Sequence, residues 1–245
     1  MKPSLTVFGL RLHSYGLCAA GGMLLALALM LLICKKRRYD VYRSILYFLL
    51  AVVTGLGSAA FTFLLVTYTP SEIVAGIKDG TLTYGYVYYG GFVGGLLAVW
   101  LVSRFTKTRL AYLENILLPP LALAHACGRV GCYLAGCCYG RASHSPLAVR
   151  FPSMDESVLP VQLFECAAEA LICAYLVYCV FRRKKHILLR YVFLYAPVRF
   201  VLEFWRGDEI RGHWLAFSTS QWISLVLTGA GIVYTAFILK TRRKA

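Results

Sequence analysis

The chain has 245 residues, of which 59% are hydrophobic and 15% charged, with a formal net charge of +15 and a mean hydropathy of +0.66. That balance excludes a soluble globular domain, because several apolar runs reach the roughly 20 residues that cross a bilayer as a helix. It also removes nucleic acid as the reason for the charge, since the basic residues fall in alternate loops, where membrane topology places them.

Residues 1–14 are polar-spaced and lead into the first apolar run without a small-residue cleavage site, so the first span is expected to stay in the mature protein. Spans are predicted at 15–34, 44–66, 87–103, 113–135, 162–181, 188–203 and 221–239. Basic clusters follow the first (Lys35, Lys36, Arg37, Arg38, Arg43), third (Arg104, Lys107, Arg109), fifth (Arg182, Arg183, Lys184, Lys185, Arg190) and seventh (Lys240, Arg242, Arg243, Lys244). Positive loops stay inside, so the pattern puts the C-terminus in the cytoplasm and, with seven crossings, the N-terminus outside. The loop 67–86, TYTPSEIVAGIKDGTLTYGY, and the loop 142–161, with Ser, Pro and acidic residues, are then extracytoplasmic. The expected fold is all-α and polytopic, seven transmembrane helices in one domain over 1–245, without internal repeats. Trp100, Trp205, Trp214 and Trp222 read as interface anchors.

The informative charges lie inside the apolar spans. Arg129 and Arg199 fall toward the extracytoplasmic ends of their spans, where an unpaired charge costs about 2.5–3.5 kcal/mol on insertion scales. Arg199 and Glu203, four apart on one helical face, are open to a purely structural reading as an intramembrane ion pair. That pair does not account for Arg129, Arg141 and Arg206 collecting at the same depth. A guanidinium is a planar fork suited to phosphate oxygens, so a lipid phosphate is the expected ligand.

These arginines surround LAHACGRVGCYLAGCCYGR, Leu123 to Arg141, rich in glycine and cysteine. Glycines here and in YYGGFVGG (Tyr88 to Gly95) suit close helix approach or irregular backbone lining a cavity. Cys127, Cys132 and Cys137 are five apart, a spacing unlike the paired cysteines of zinc sites, so no metal is expected even with His125 and His144 nearby. An outer-surface disulfide through Cys137 or Cys138 stays open, as does cysteine as a small apolar filler with one or two thiols activated by the arginines.

GRVGCYLAGCCYGR (Gly128 to Arg141) resembles the GR[IV]GNFxNGExxGR signature of the prolipoprotein diacylglyceryl transferases. Tyr15-Gly16 is similar to the family's N-terminal YG, and YYGGFVGG to its HGGxxG. LPVQLFECAAE (Leu159 to Glu169) is similar to HPSQLYEAxxE. RFVLEFWRGD (Arg199 to Asp208), followed by FSTSQWIS, is similar to RFxVEFxRxxD and SxGQxLS. The likeness runs in order along nearly the whole chain.

The resemblance implies transfer of the diacylglyceryl group of phosphatidylglycerol to the lipobox cysteine of preprolipoproteins in the bacterial cytoplasmic membrane. The products are a thioether and glycerol phosphate, and no cofactor is involved. Expected partners are phosphatidylglycerol, preprolipoprotein signal peptides and membrane lipids. It assigns catalytic roles to Arg129, Arg199, Glu203, Arg206 and Tyr89: Arg129 and Arg199 on the phosphate, Glu203 orienting Arg199 or Arg206. Substrate contacts fall to Tyr15, Gly90, Gly91, Cys132, Gly140, Arg141 and Asp208.

The departures set the questions. Tyr89 stands at the family's histidine, Cys132 and Ala135 at its asparagines, and Cys137 at its glutamate. Tyr89 is a poor general base, so either phosphate stabilisation and thiol placement carry the reaction, or a relay through His125 or a cysteine thiolate near Arg129 replaces the histidine. The alternatives are a membrane transferase with a different acceptor, and a non-catalytic lipid- or signal-peptide-binding protein.

Overall fold

The structure is a computed structural model, and it describes residues 4–7, 10–83, 85–152, 154–207, 213–214 and 217–242. It is mostly helical: α1 (Ser14–Arg37), α2 (Val41–Thr67), α3 (Pro70–Asp79), α4 (Tyr88–Phe105), α5 (Leu110–Ala135), α6 (Val161–Phe181), α7 (Ile187–Glu203) and α8 (Thr219–Arg242). Short antiparallel pairs join β1 (Ser4–Val7) to β2 (Leu10–His13), β3 (Val149–Arg150) to β4 (Ser157–Val158), and β5 (His213–Trp214) to β6 (Phe217–Ser218).

Five helices, α1, α2, α5, α6 and the Thr219–Lys240 part of α8, are long and apolar enough to cross a membrane, and Gly90–Phe105 of α4 is a shorter apolar helix. Each predicted span overlaps one helix. The segment 67–86, expected to be a loop, holds α3. Its reason is local: Thr69 and Glu72 form a reciprocal capping box, Pro70 opens the first turn, and Gly80 closes the helix in the left-handed region at φ 66.

The chain divides into two compact units, Cys34–Ile116, and Met1–Ile33 with Leu117–Ala245, where the composition alone suggests one bundle. Within Cys34–Ile116, α4 packs on α2 through glycines. A Cβ at Gly91 would sit 2.8 Å from the Gly55 carbonyl, and one at Gly90 would overlap the Thr62 hydroxyl. Buried Ser44 shares a 2.6 Å hydrogen bond with Tyr112, and Asn115 donates to the Tyr39 hydroxyl at 2.7 Å.

In the other unit, α1 approaches α5 at two places. A Cβ at Gly22 would lie 2.6 Å from Cys127 Cβ, and one at Gly131 would lie 3.0 Å from Cys18 Cβ and 3.2 Å from Tyr15 Cα. Gly131 thus lets the Tyr15 turn of α1 seat beside Arg129 and Cys132. α6, α7 and α8 pack in chain order. The loop after α5 is fastened by Phe151, 1% exposed, whose ring meets Tyr133 edge-on at 5.8 Å and Tyr139 at 6.1 Å.

Candidate active site

Three helices of the larger unit each contribute a pair of polar side chains four residues apart, hence on one face. α5 supplies His125 and Arg129, α6 Glu165 and Glu169, and α7 Arg199 and Glu203. An apolar helix presents such a pair only toward protein or trapped water, because lipid offers no partner.

Glu165 is the hub. It is fully buried, and Arg129 Nη2 lies 2.9 Å from its Oε1 while Arg199 Nη1 lies 3.9 Å from its Oε2. The Tyr195 hydroxyl donates to the same Oε1 at 3.2 Å. Arg199 is held on its other side by Glu203, 2.6 Å away, and by the Ser220 hydroxyl at 3.2 Å. Both readings of Arg199 therefore meet: the intrahelical pair exists, and it is one edge of a larger network.

A second carboxylate, Glu169, is equally buried and lies 2.7 Å from His125 Nδ1. The Tyr191 hydroxyl donates to it at 3.2 Å. Arg129 Nε donates to His125 Nε2 at 3.3 Å. The stacked Tyr191 and Tyr195 rings, 5.5 Å apart, and the edge contact of Tyr195 with His125 at 5.4 Å form one wall.

The loop following α5 brings the remaining groups. α5 ends as Cys137 N–H donates to the Cys132 carbonyl, with Gly136 in the left-handed region at φ 72. Cys138 is also left-handed, φ 63, a conformation costing a non-glycine residue roughly 1–2 kcal/mol. These two turns fold Cys137 and Cys138 back onto Cys132, so that the three sulfurs lie within 4.8 Å of one another. All three cysteines are free thiols. The Cys138 thiol is pulled far below its ordinary range by hydrogen bonds from Cys132 and Cys137 and by the Arg206 guanidinium, which hydrogen-bonds it.

The turn is then clamped. Gln162 Nε2 donates to the Cys137 carbonyl at 2.7 Å. Gly140 N–H donates to Leu159, Arg141 N–H to Trp205, and Gly140 bridges to Arg206. A Cβ at Gly140 would lie 2.7 Å from both the Leu159 and Trp205 carbonyls, which is why only glycine fits between those strands of backbone.

Of the residues expected from sequence, Arg129, Arg199, Glu203, Arg206, Cys132, Tyr15 and Gly140 belong to this one unit and surround the network. The Arg141 side chain is exposed, and only its backbone joins the clamp. Gly90 and Gly91 belong to Cys34–Ile116, where they seat α4 on α2. Tyr89 is the second residue of the same helix, and its side chain lies outside the described residues, as does the whole of Asp208. Sequence reasoning passed over Glu165, Glu169 and the central place of His125. A signal was present: a carboxylate pair four apart in an apolar span is as costly as the arginines and needs them as partners.

The family model for prolipoprotein diacylglyceryl transferase matches residues 3–237. The phosphatidylglycerol–prolipoprotein diacylglyceryl transferase of Clostridium tetani is 31% identical over 243 residues, covering 95% of this chain and 96% of that protein. An enzyme of the same name, numbered 2, from Clostridium perfringens is 30% identical, covering 97% of this chain and 96% of that protein. The namesake from Dehalococcoides mccartyi is 29% identical over 65% of this chain and 63% of its own length. With a family model spanning nearly the whole sequence and the arginine–carboxylate network on the helices that carry its motifs, the chain belongs to the prolipoprotein diacylglyceryl transferase family.

Proposed function

We propose that the chain transfers the diacylglyceryl group of phosphatidylglycerol to the lipobox cysteine thiol of preprolipoproteins, releasing glycerol phosphate. The observation that carries this reading is the convergence of Arg129 and Arg199 on buried Glu165. One carboxylate fixes both guanidiniums while leaving N–H donors on each for a phosphate. The reaction displaces a phosphate from an sp³ carbon. Charge grows on the phosphate oxygens in the transition state, and preorganised cations in a dry site stabilise it there.

In this reading Arg129 and Arg199 hold the donor phosphate, Glu203 and Glu165 aim Arg199, and Arg206 completes the anionic site. Tyr15, Cys132, Gly140, Arg141 and Asp208 contact the substrates, and the roles of Tyr89 in catalysis and of Gly90 and Gly91 in substrate binding rest on the motif resemblance. Residues 1–245 act as one transferase domain, multi-pass in the bacterial cytoplasmic membrane. It has seven crossings, the N-terminus outside, and the basic loops and C-terminus in the cytoplasm.

The test is transfer of labelled diacylglyceryl from phosphatidylglycerol to a lipobox peptide by the purified protein, beside Arg129→Ala and Arg199→Ala. Incorporation abolished by both substitutions supports the reading. Folded protein that binds phosphatidylglycerol without incorporation refutes it and favours a different acceptor or a binding role.

A further inference from the structure

We propose that Cys132, Cys137 and Cys138 form a three-thiolate zinc site whose open fourth position takes the acceptor thiol and activates it for alkylation. The proposal rests on the transferase reading above. Three sulfurs within 4.8 Å of one another already approximate a zinc-binding face. Zinc–sulfur bonds of about 2.3 Å in a tetrahedron put the sulfurs roughly 3.8 Å apart, a change that side-chain rotation covers. In the sequence, Cys127, Cys132 and Cys137 have a spacing unlike that of zinc ligands. Folding instead leaves Cys127 against Gly22 and brings in Cys138, because two left-handed residues reverse the chain after α5.

The number of donors points to chemistry. Structural zinc sites close with four protein ligands, whereas catalytic ones keep three and leave a position for water or substrate. The exposures are graded in the same sense, with Cys132 buried, Cys138 intermediate and Cys137 exposed, so one side of the cluster faces outward. The ligands are held beforehand by Gln162 on the Cys137 carbonyl and by the Gly140 clamp. Zinc with three thiolates carries one net negative charge, and two with a fourth thiolate. Arg206 bonds Cys138, and Arg129 lies within electrostatic range of Cys132 and Cys138, which offsets that charge.

The reaction needs the acceptor sulfur as a thiolate, and a free thiol near pKa 8.5 is mostly protonated at neutrality, whereas a coordinated thiol is deprotonated outright. Loading zinc releases to water whatever protons the ligand thiols still carry. The lipobox thiol then displaces the zinc-bound water and loses its own proton to solvent. Its sulfur lone pair forms the S–C bond to the glyceryl carbon as the C–O bond breaks, and the oxygen leaves with the electron pair on glycerol phosphate. Zinc is neither oxidised nor reduced. The thioether, a weaker ligand, departs and water returns. The same arginines that balance the thiolates stand at the leaving group.

The experiment measures metal on the full chain in detergent, by elemental analysis after dialysis and by cobalt substitution. The expected result is one zinc per chain, cobalt–thiolate absorption on replacement, and a change in that absorption when a lipobox peptide is added but not when its cysteine is serine. Cys132→Ser and Cys138→Ser should lower zinc affinity by at least an order of magnitude, and Cys127→Ser should leave it unchanged. Absence of retained zinc, a disulfide recovered among the three cysteines in its place, or copper taken with zinc left unbound overturns the proposal. A metal indifferent to the peptide thiol overturns the activating role. If zinc is absent while diacylglyceryl transfer persists, the site fails and the transferase reading stands. If zinc binds and responds to the thiol while no diacylglyceryl moves, the transferase reading fails, and with it the activating role, leaving only a thiol-binding zinc site.

Discussion

Glu165 has no solvent exposure and is shared by Arg129 and Arg199, so its loss leaves one buried and one half-buried guanidinium short of a partner. Breaking such a network from one side costs about 3–5 kcal/mol. Glu165→Ala should therefore lower thermal stability in detergent strongly. Glu165→Gln, which keeps the shape, should fold better and still reduce transfer by roughly 10²- to 10³-fold through misplaced cations. An active Glu165→Gln enzyme would remove the hub from the mechanism. Arg199→Lys keeps the charge but lacks the fork that faces Glu165 through Nη1 and meets Glu203 and Ser220 through Nη2, and should behave closer to Arg199→Ala than to the parent in the same assay.

At the scale of elements, the loop after α5 depends on backbone contact. Gly140→Ala forces a methyl against two carbonyls at 2.7 Å, and overpacking of that kind costs about 1–3 kcal/mol. It should lower thermal stability and transfer together, whereas Gly21→Ala, with open space at its Cβ, should leave both unchanged. The helix α3 carries a pH dependence. Hydrogen bonds from the Thr69 backbone and hydroxyl hold the Glu72 carboxyl below its ordinary value. A depressed carboxylate stabilises the fold above its unfolded pKa, and that contribution disappears as pH falls through the folded value. Amide protection over 70–79 should thus decline on acidification below the usual glutamate range, and Glu72→Gln should remove that pH dependence.

For the whole molecule, the seven-crossing topology makes reporter fusions decisive: fusions after Lys185 and at the C-terminus should report cytoplasm, and fusions near residues 80 and 145 the outer side. The opposite pattern would place the arginine network at the cytoplasmic end of its helices and remove an outer-leaflet donor from the reaction.

Helix positions and the membrane setting were legible because apolar length is a local property: each predicted span overlaps a helix, and Arg129, Arg199 and Glu203 announced themselves by their cost in an apolar run. The helix α3 lies in a polar segment, so hydropathy reads it as a loop, and its local signal is the capping box from Thr69 to Glu72. His125, Glu165 and Glu169 were each visible as four-residue pairs with Arg129 or with one another. That three separate helices turn these pairs toward a single point depends on packing between residues 34 to 44 positions apart, which no local pattern encodes. The cysteine cluster is the same case at shorter range: spacing suggested Cys127, Cys132 and Cys137, and two left-handed residues after α5 exchanged Cys127 for Cys138. Sequence alone determined what the bilayer enforces, the spans and the rarity of charge within them. Tertiary structure decided which of those charges and thiols meet, because that depends on how separate segments approach one another, as α1 and α5 do at Gly22 and Gly131 and the loop after α5 does at Gly140, and not on the local pattern around the residues that carry the chemistry.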